Sequence, residues 1–97
     1  MRIRILRSAV DDLVRGRKFY ETQGEGMGEY FAESLSADIE SPRLFAGVHS
    51  KSHGYYRRLS DRFPYAVYYE IEADDIRIHA ILDCRRDPNW VRARLKK

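Results

Sequence analysis

The residues of this 97-residue chain that are best suited to chemistry are five arginines in its second half. A guanidinium group binds phosphate through paired hydrogen bonds and stabilises the negative charge that builds up during phosphoryl transfer. The predicted strands place these arginines at strand ends and turns of one sheet, so we expect them to converge on an anion-binding surface. They are Arg57, Arg58, Arg62, Arg85 and Arg86.

A loop before the first of these strands adds His49, Lys51 and His53. Beside the arginines, these side chains can supply proton transfer or a further positive charge. Two histidines four residues apart can share a metal ion on a helix, but these two lie in a glycine-flanked loop without a recognisable third ligand. We therefore predict no metal site, and no motif predicts a cofactor.

The alternative is a structural role, in which some arginines hold strand ends together. In that interpretation Arg57 and Arg86 pair with the nearby carboxylates of Asp61, Asp83 and Asp87. Both interpretations stay open at the level of sequence.

Charge is unevenly distributed along the chain, although the net charge is only +3. Residues 21–40 contain acidic residues and no lysine or arginine, whereas residues 85–97 contain one acidic residue, Asp87, among many basic ones. Such segregation raises the local potential for an anionic partner, while a solvated charged face is the alternative. The residues predicted to contact RNA or a protein target are Arg62, Arg86, Trp90, Arg92 and Arg94.

Length and composition indicate one domain, residues 1–97, with 43% hydrophobic and 34% charged residues. No apolar run approaches the roughly 20 residues of a membrane span, and residues 1–6 alternate in polarity instead of forming a signal peptide. The single cysteine, Cys84, cannot form an internal disulfide. We expect a cytoplasmic protein that makes no membrane contact.

The segment from Tyr55 to Pro88 is predicted to contain three consecutive strands followed by a basic turn. Its last two strands form a hairpin in which one register satisfies both faces, because side chains alternate with a period of two. One face pairs Ile71 with Ile76, Tyr69 with Ile78, Val67 with Ala80 and Tyr65 with Leu82. The other face pairs Glu70 with Arg77, Tyr68 with His79 and Ala66 with Ile81.

Two helices are predicted between a first strand at residues 1–5 and this hairpin. Ser8–Asp11 matches a capping box, and an apolar stripe follows it. The second helix is expected from about Gly28 to Glu40, with Pro42 marking its end and a loop over residues 43–54. The stripe of the first helix comprises Val10, Leu13, Val14, Arg17 and Tyr20, and that of the second comprises Met27, Phe31, Leu35 and Ile39.

A short terminal helix is predicted to begin after Asp87, with Asp87 as N-cap and Pro88 at the first helical position. The resulting order is β-α-α-β-β-β plus a short C-terminal helix. This is an α+β fold in which an N-terminal helical hairpin packs on a mainly antiparallel sheet.

Several of these segments together resemble toxins of the RelE/ParE superfamily, the toxin halves of type II toxin–antitoxin modules of the plasmid stabilisation type. The resemblance rests on Tyr56–Arg58, Phe63–Tyr69 and Cys84–Pro88, in order after an N-terminal strand and an acidic helical hairpin. It implies a small α+β toxin that arrests growth and is neutralised by a cognate antitoxin.

The superfamily divides in mechanism, and the resemblance implies two possibilities. ParE-like members inhibit DNA gyrase by binding, which we favour because Ala66 stands where RelE-like members commonly carry an arginine. RelE-like members cut mRNA on the ribosome. For a ribosome-dependent endoribonuclease the implied catalytic residues are Arg85, Arg57 and Arg58, assisted by His53 or Lys51.

Overall fold

The computed structural model describes residues 2–96, except for the side chains of residues 42–44. Its first half contains strand β1 (Arg2–Ile5) and helices α1 (Arg7–Gln23) and α2 (Met27–Phe45). Its second half contains β2 (Lys51–Ser52), β3 (Tyr55–Leu59), β4 (Tyr65–Glu72), β5 (Asp75–Asp83) and α3 (Pro88–Leu95). No helix in residues 2–96 is long and apolar enough to cross a membrane.

The five strands form one sheet in the order β1-β5-β4-β3-β2. Strand β1 runs parallel to β5, and all other neighbours are antiparallel. The predicted α+β fold with a mainly antiparallel sheet is therefore confirmed. The two-residue strand β2 was not predicted, because residues 43–54 were expected to form only a loop.

The predicted hairpin register is correct near the turn and wrong beyond it. Ile71 pairs with Ile76, Glu70 with Arg77 and Tyr69 with Ile78, as expected. A β-bulge then shifts the register by one residue, with His79 as the extra residue. The remaining pairs are Tyr68 with Ala80, Val67 with Ile81, Ala66 with Leu82 and Tyr65 with Asp83.

Core packing explains this bulge. Strict alternation would place Ile81 on the face opposite Ile76 and Ile78, but all three lie in the main core against the helices. The extra residue turns Ile81 into that core and turns Ala80 and Leu82 towards the other face. Both faces of β5 thereby contribute apolar side chains to a cluster, whereas a regular strand would place only Ile81 on the second face.

Helix α1 differs from the prediction at its start and in its buried face. It begins at Arg7, and no side chain caps it, so the predicted capping box is wrong. Ser8 Oγ instead donates a hydrogen bond to the carbonyl of His79 at 2.8 Å. Val10 and Val14 of the predicted stripe are exposed, whereas Ala9 and Gly16 are buried.

Helix α2 confirms the predicted stripe, since Phe31, Leu35 and Ile39 are all buried. It continues to Phe45, however, so the end predicted from Pro42 is wrong. A proline removes one backbone donor and strains the preceding turn, but it does not by itself terminate a helix.

The two sides of the sheet carry separate apolar clusters. The main core lies under the α1–α2 hairpin and includes Phe31, Phe63, Val67 and Tyr69. The second cluster lies on the opposite side, where Leu95, Trp90 and Val91 of α3 pack against the sheet. The predicted terminal helix is confirmed, including the Asp87 cap, whose side chain accepts a hydrogen bond from the backbone N–H of Asn89 at 2.8 Å.

Gly16 allows α1 and α2 to approach closely. A Cβ atom added at this position would lie 2.5 Å from Cζ of Phe31. The Phe31 ring cannot move aside, because it packs against the rings of Tyr20, Phe63 and Tyr65 at centroid distances of 5.0, 5.1 and 4.9 Å.

We expect Gly16→Ala to lower the free energy of unfolding by about 1–2 kcal/mol, because overpacking outweighs the gain in helix propensity. Urea denaturation measures this change, with Lys18→Ala on the exposed side of α1 as control. The double variant Gly16→Ala with Phe31→Leu should lose less free energy of unfolding than the two single variants lose together. Strictly additive losses would contradict the proposed contact between the two side chains.

Candidate functional site

Asp12, a residue that is only 5% exposed, joins three elements through its carboxylate. Its Oδ2 accepts a hydrogen bond from the backbone N–H of Ile81 at 3.0 Å, on the part of β5 that extends past β1. Arg94 of α3 donates to both carboxylate oxygens at 2.6 and 2.7 Å, and Arg15 donates to Oδ1 at 2.6 Å. Arg94, predicted to bind a target, is therefore a structural clamp that holds α3 to α1 and β5.

Arg85 is tied to the strand that precedes it. Its Nε and Nη2 donate to the two carboxylate oxygens of Asp83 at 3.0 and 2.8 Å. These hydrogen bonds hold the pKa of Asp83 below its usual range. Burial raises the pKa of the Tyr20 hydroxyl, and the nearby positive charge of Arg85 opposes this shift. The structural interpretation of the arginines thus describes Arg85 well, with Asp83 as its partner.

Arg58 lies on the helix side of the sheet and is mostly buried. Its guanidinium group lies 3.5 Å from Asp38 of α2 and 3.4 Å from Asp61. Two carboxylates therefore neutralise Arg58, and one of them, Asp38, is itself buried.

Arg57 lies on the opposite side of the sheet from Arg58, because neighbouring side chains of a strand alternate. Its Nε donates to Tyr68 Oη at 3.2 Å, which raises the pKa of Arg57, and its Nη2 lies 3.6 Å from Cys84 Sγ. The predicted pairing of Arg57 with an aspartate is wrong, since its neighbours are a phenol and a thiol.

A groove of about 500 Å³ lies at the β2–β3 edge of the sheet, and three of the predicted catalytic residues line it. They are Lys51, Arg57 and Arg58, accompanied by His49. Burial, followed by the nearby Arg58, lowers the pKa of His49, whose Nδ1 lies 2.6 Å from Tyr69 Oη. At neutral pH this histidine is therefore uncharged and engaged with the core tyrosine.

Three other cations stack on aromatic rings instead of pairing with acids. Arg86 lies 3.8 Å from the ring centroid of Trp90, and Lys51 lies 4.8 Å from that of Tyr56. Arg62 lies 5.9 Å from the Tyr30 ring centroid and donates to the Tyr30 hydroxyl at 3.0 Å. The predicted pairing of Arg86 with an acid is thus replaced by a cation–π contact.

The predicted site residues therefore do not form one cluster. Lys51, Arg57 and Arg58 share the edge groove, and Arg85 is held by Asp83 in the turn after β5. The remaining residues are grouped differently: His53 and Arg92 line a pocket beside α3, Arg86, Trp90 and Arg94 line a groove between α1 and α3, and Arg62 stands beside Tyr30. Within residues 2–96, apart from the side chains at 42–44, no group of three or more metal-binding side chains was found.

Sequence reasoning missed the contributions of Asp12 and Tyr68. Asp12 falls on the buried face of α1, but its partners Ile81 and Arg94 lie far along the chain. Tyr68 was assigned to the correct face, but its contact with Arg57 depends on the β3–β4 register. The stripe predicted for α1 places Asp12 on the polar side of the helix, so no local signal identified it.

Comparison with known proteins agrees with this architecture. The family model of the ParE toxin of type II toxin–antitoxin systems, parDE, matches residues 3–88. The chain belongs to the ParE toxin family. A solved structure described as the "Chromosomal ParDE TA system from P. aeruginosa" has the same fold, with a TM-score of 0.74 and 17% sequence identity. The match covers 84% of this chain and 92% of that one, and no curated protein matched this ParE chain by sequence.

We expect Asp12→Ala to lower the free energy of unfolding of this ParE toxin by about 3–5 kcal/mol, because Arg94 and the Ile81 N–H lose their buried partner. The matched control is Asp11→Ala, which removes an exposed carboxylate from the same helix turn. It should change stability by less than about 0.5 kcal/mol. Equal effects of the two substitutions in urea denaturation would contradict a structural role for Asp12.

Proposed function

We propose that this ParE toxin arrests growth in the cytoplasm by binding and inhibiting DNA gyrase, and that a cognate antitoxin neutralises it. Membership of the ParE family over residues 3–88 supports a toxin of a type II module. The related structure of a ParDE system supports the expectation that an antitoxin partner exists.

The observation that carries the choice of binding over catalysis is the dispersal of the nuclease residues. Arg85 donates through Nε and Nη2 to Asp83, and Arg58 is neutralised by Asp38 and Asp61. Both guanidinium groups already face carboxylates, which weakens the electrostatic stabilisation that either could give a transition state. His53 lies at the turn after β2 and lines the pocket beside α3, whose lining does not include Arg85.

The position of Ala66 also favours a binding mechanism. Ala66 is fully buried in the second cluster, with Leu82 and Leu95 as members of the same cluster. The sheet face on which RelE-like members commonly carry an arginine is therefore apolar at this position. A charged side chain here would require desolvation without a partner.

A ribosome-dependent mRNA endoribonuclease is the second candidate, and the edge groove favours it. Lys51, Arg57 and Arg58 line that groove together, with Ser50 and Ser52 nearby. Such a set can bind a phosphodiester, although Arg58 is already neutralised and His49 is held by Tyr69. This candidate thus relies mainly on Lys51 and Arg57.

Two in vitro assays with the purified chain separate these candidates. Under the gyrase proposal, the toxin inhibits DNA supercoiling and leaves ribosome-bound mRNA uncut. In cells, growth arrest should be accompanied by DNA damage and be relieved by co-expression of the neighbouring antitoxin reading frame. Prompt cleavage of translated mRNA with unaffected supercoiling would contradict the proposal.

Substitutions of Lys51 and Arg57 in the edge groove test the choice between gyrase inhibition and mRNA cleavage. If the toxin acts on gyrase, Arg57→Ala and Lys51→Ala should each change the toxin level needed for growth arrest less than tenfold. Under the nuclease alternative, either substitution should slow mRNA cleavage by about a hundredfold or more, as loss of one charge-stabilising donor does. Arg77→Ala serves as the control, because Arg77 pairs with Glu72 and does not line the edge groove.

A further inference from the structure

A pocket of about 590 Å³ separates α3 from the turn between β2 and β3. We call it the α3 pocket, and its lining residues are His53, Asn89, Arg92, Ala93, Leu95 and Lys96. Its lining combines the apolar residues Ala93 and Leu95 with the basic residues Arg92 and Lys96. Because both basic residues are exposed, their charged ends give the pocket a basic rim.

The cations of this rim differ from the arginines that pair with acids. Asp75 pairs with Arg2 and Arg4, Asp12 pairs with Arg15 and Arg94, and Asp83 pairs with Arg85. By contrast, within residues 2–96 no ion pair or hydrogen bond engages the charged groups of Arg92 and Lys96. Two unneutralised charges one helical turn apart attract an acidic partner without the loss of an existing pair.

Helix α3 presents this rim rigidly. Leu95 is only 2% exposed and packs in the second cluster, and Arg94 is clamped by Asp12. Arg92 and Lys96 are therefore carried on a helix whose other side is fixed to the body of the protein. A preorganised surface loses little conformational entropy on binding, which favours affinity.

The chemistry of the pocket favours a protein segment over nucleic acid. Single-stranded nucleic acid is bound by rows of cations interleaved with aromatic rings on which bases stack. The one tryptophan of α3, Trp90, is half-buried, and Arg86 covers its ring at 3.8 Å. The α3 pocket offers an apolar cavity between cations, which suits an apolar side chain flanked by carboxylates.

We propose that the α3 pocket is the docking surface for the inhibited target, and that it receives an acidic protein segment with one apolar anchor residue. The anchor occupies the cavity beside Ala93 and Leu95, while carboxylates of the segment pair with Arg92 and Lys96. This assignment rests on the proposed function and goes further, since it names the toxin surface that the target contacts.

The same residues explain why removal of the tail is a poor test. Truncation of residues 90–97 would remove the whole basic rim. It would remove Leu95 from the second cluster and Arg94 from Asp12, so it would also damage the fold. Surface substitutions in α3 avoid this problem.

The test is the paired charge reversal Arg92→Glu with Lys96→Glu. The matched control is Arg17→Glu with Lys18→Glu, which makes the same change in net charge on the exposed side of α1. Growth arrest after induction and inhibition of supercoiling by purified toxin are measured for both variants. Thermal unfolding and immunoblotting check that each variant is folded and present in equal amount.

We expect the α3 reversal to raise the toxin concentration for half-inhibition at least tenfold and to abolish growth arrest, while the control stays within about threefold of the wild type. Arg92→Lys with Lys96→Arg should retain inhibition. Ala93→Trp, which fills the cavity from an exposed position, should weaken inhibition without altering charge. Inhibition by the wild type should fall with rising salt more steeply than inhibition by the reversal variant.

Equal activity of the α3 reversal and the control in both assays would overturn the docking surface. The proposal would also be overturned if the toxin bound DNA in the absence of gyrase and the α3 reversal abolished that binding, because the pocket would then bind nucleic acid. If the wild type arrests growth but leaves gyrase active, the proposed function fails instead. The growth assay still decides the surface in that case, since it does not depend on which target is inhibited.

Discussion

The buried carboxylate of Asp12 is the interaction on which the arrangement of this ParE toxin depends. Strand β1 pairs with β5 only from Asp75 to Ile78, so the next part of β5 has no neighbouring strand on that side. Asp12 takes the place of a neighbouring strand by accepting a hydrogen bond from the backbone N–H of Ile81. Its carboxylate oxygens also accept hydrogen bonds from Arg94. One carboxylate thus links the helical hairpin, the sheet and α3.

Other arginines are also neutralised by aspartates, and this pairing determines which surfaces of the protein remain basic. Arg58 and Arg85 looked like catalytic residues in the sequence, yet both are engaged by aspartates. Several cations without acidic partners lie elsewhere, among them Lys51 and Arg86 on aromatic rings and Arg92 and Lys96 on the exposed side of α3. A surface with free charge and no acid–base pair is suited to binding more than to bond cleavage, and this supports inhibition by contact.

Local patterns in the sequence predicted much of the fold but little of the candidate site. The stripe of α2, the three long strands and the Asp87 cap depend on neighbouring residues, and all were predicted correctly. The bulge at His79 was not, because it results from competition for space in two cores on opposite sides of the sheet. Likewise, Asp12 binds partners 69 and 82 residues away, and no local pattern contains that information.

The stoichiometry of gyrase inhibition tests the central claim, inhibition by binding, most directly. Supercoiling activity is measured while purified toxin is titrated against a fixed, high concentration of gyrase. The account predicts a linear loss of activity that reaches its limit near one toxin per binding site and does not deepen with time. Unchanged activity at a large excess of toxin, or loss of activity at far lower ratios that grows with time, would contradict it.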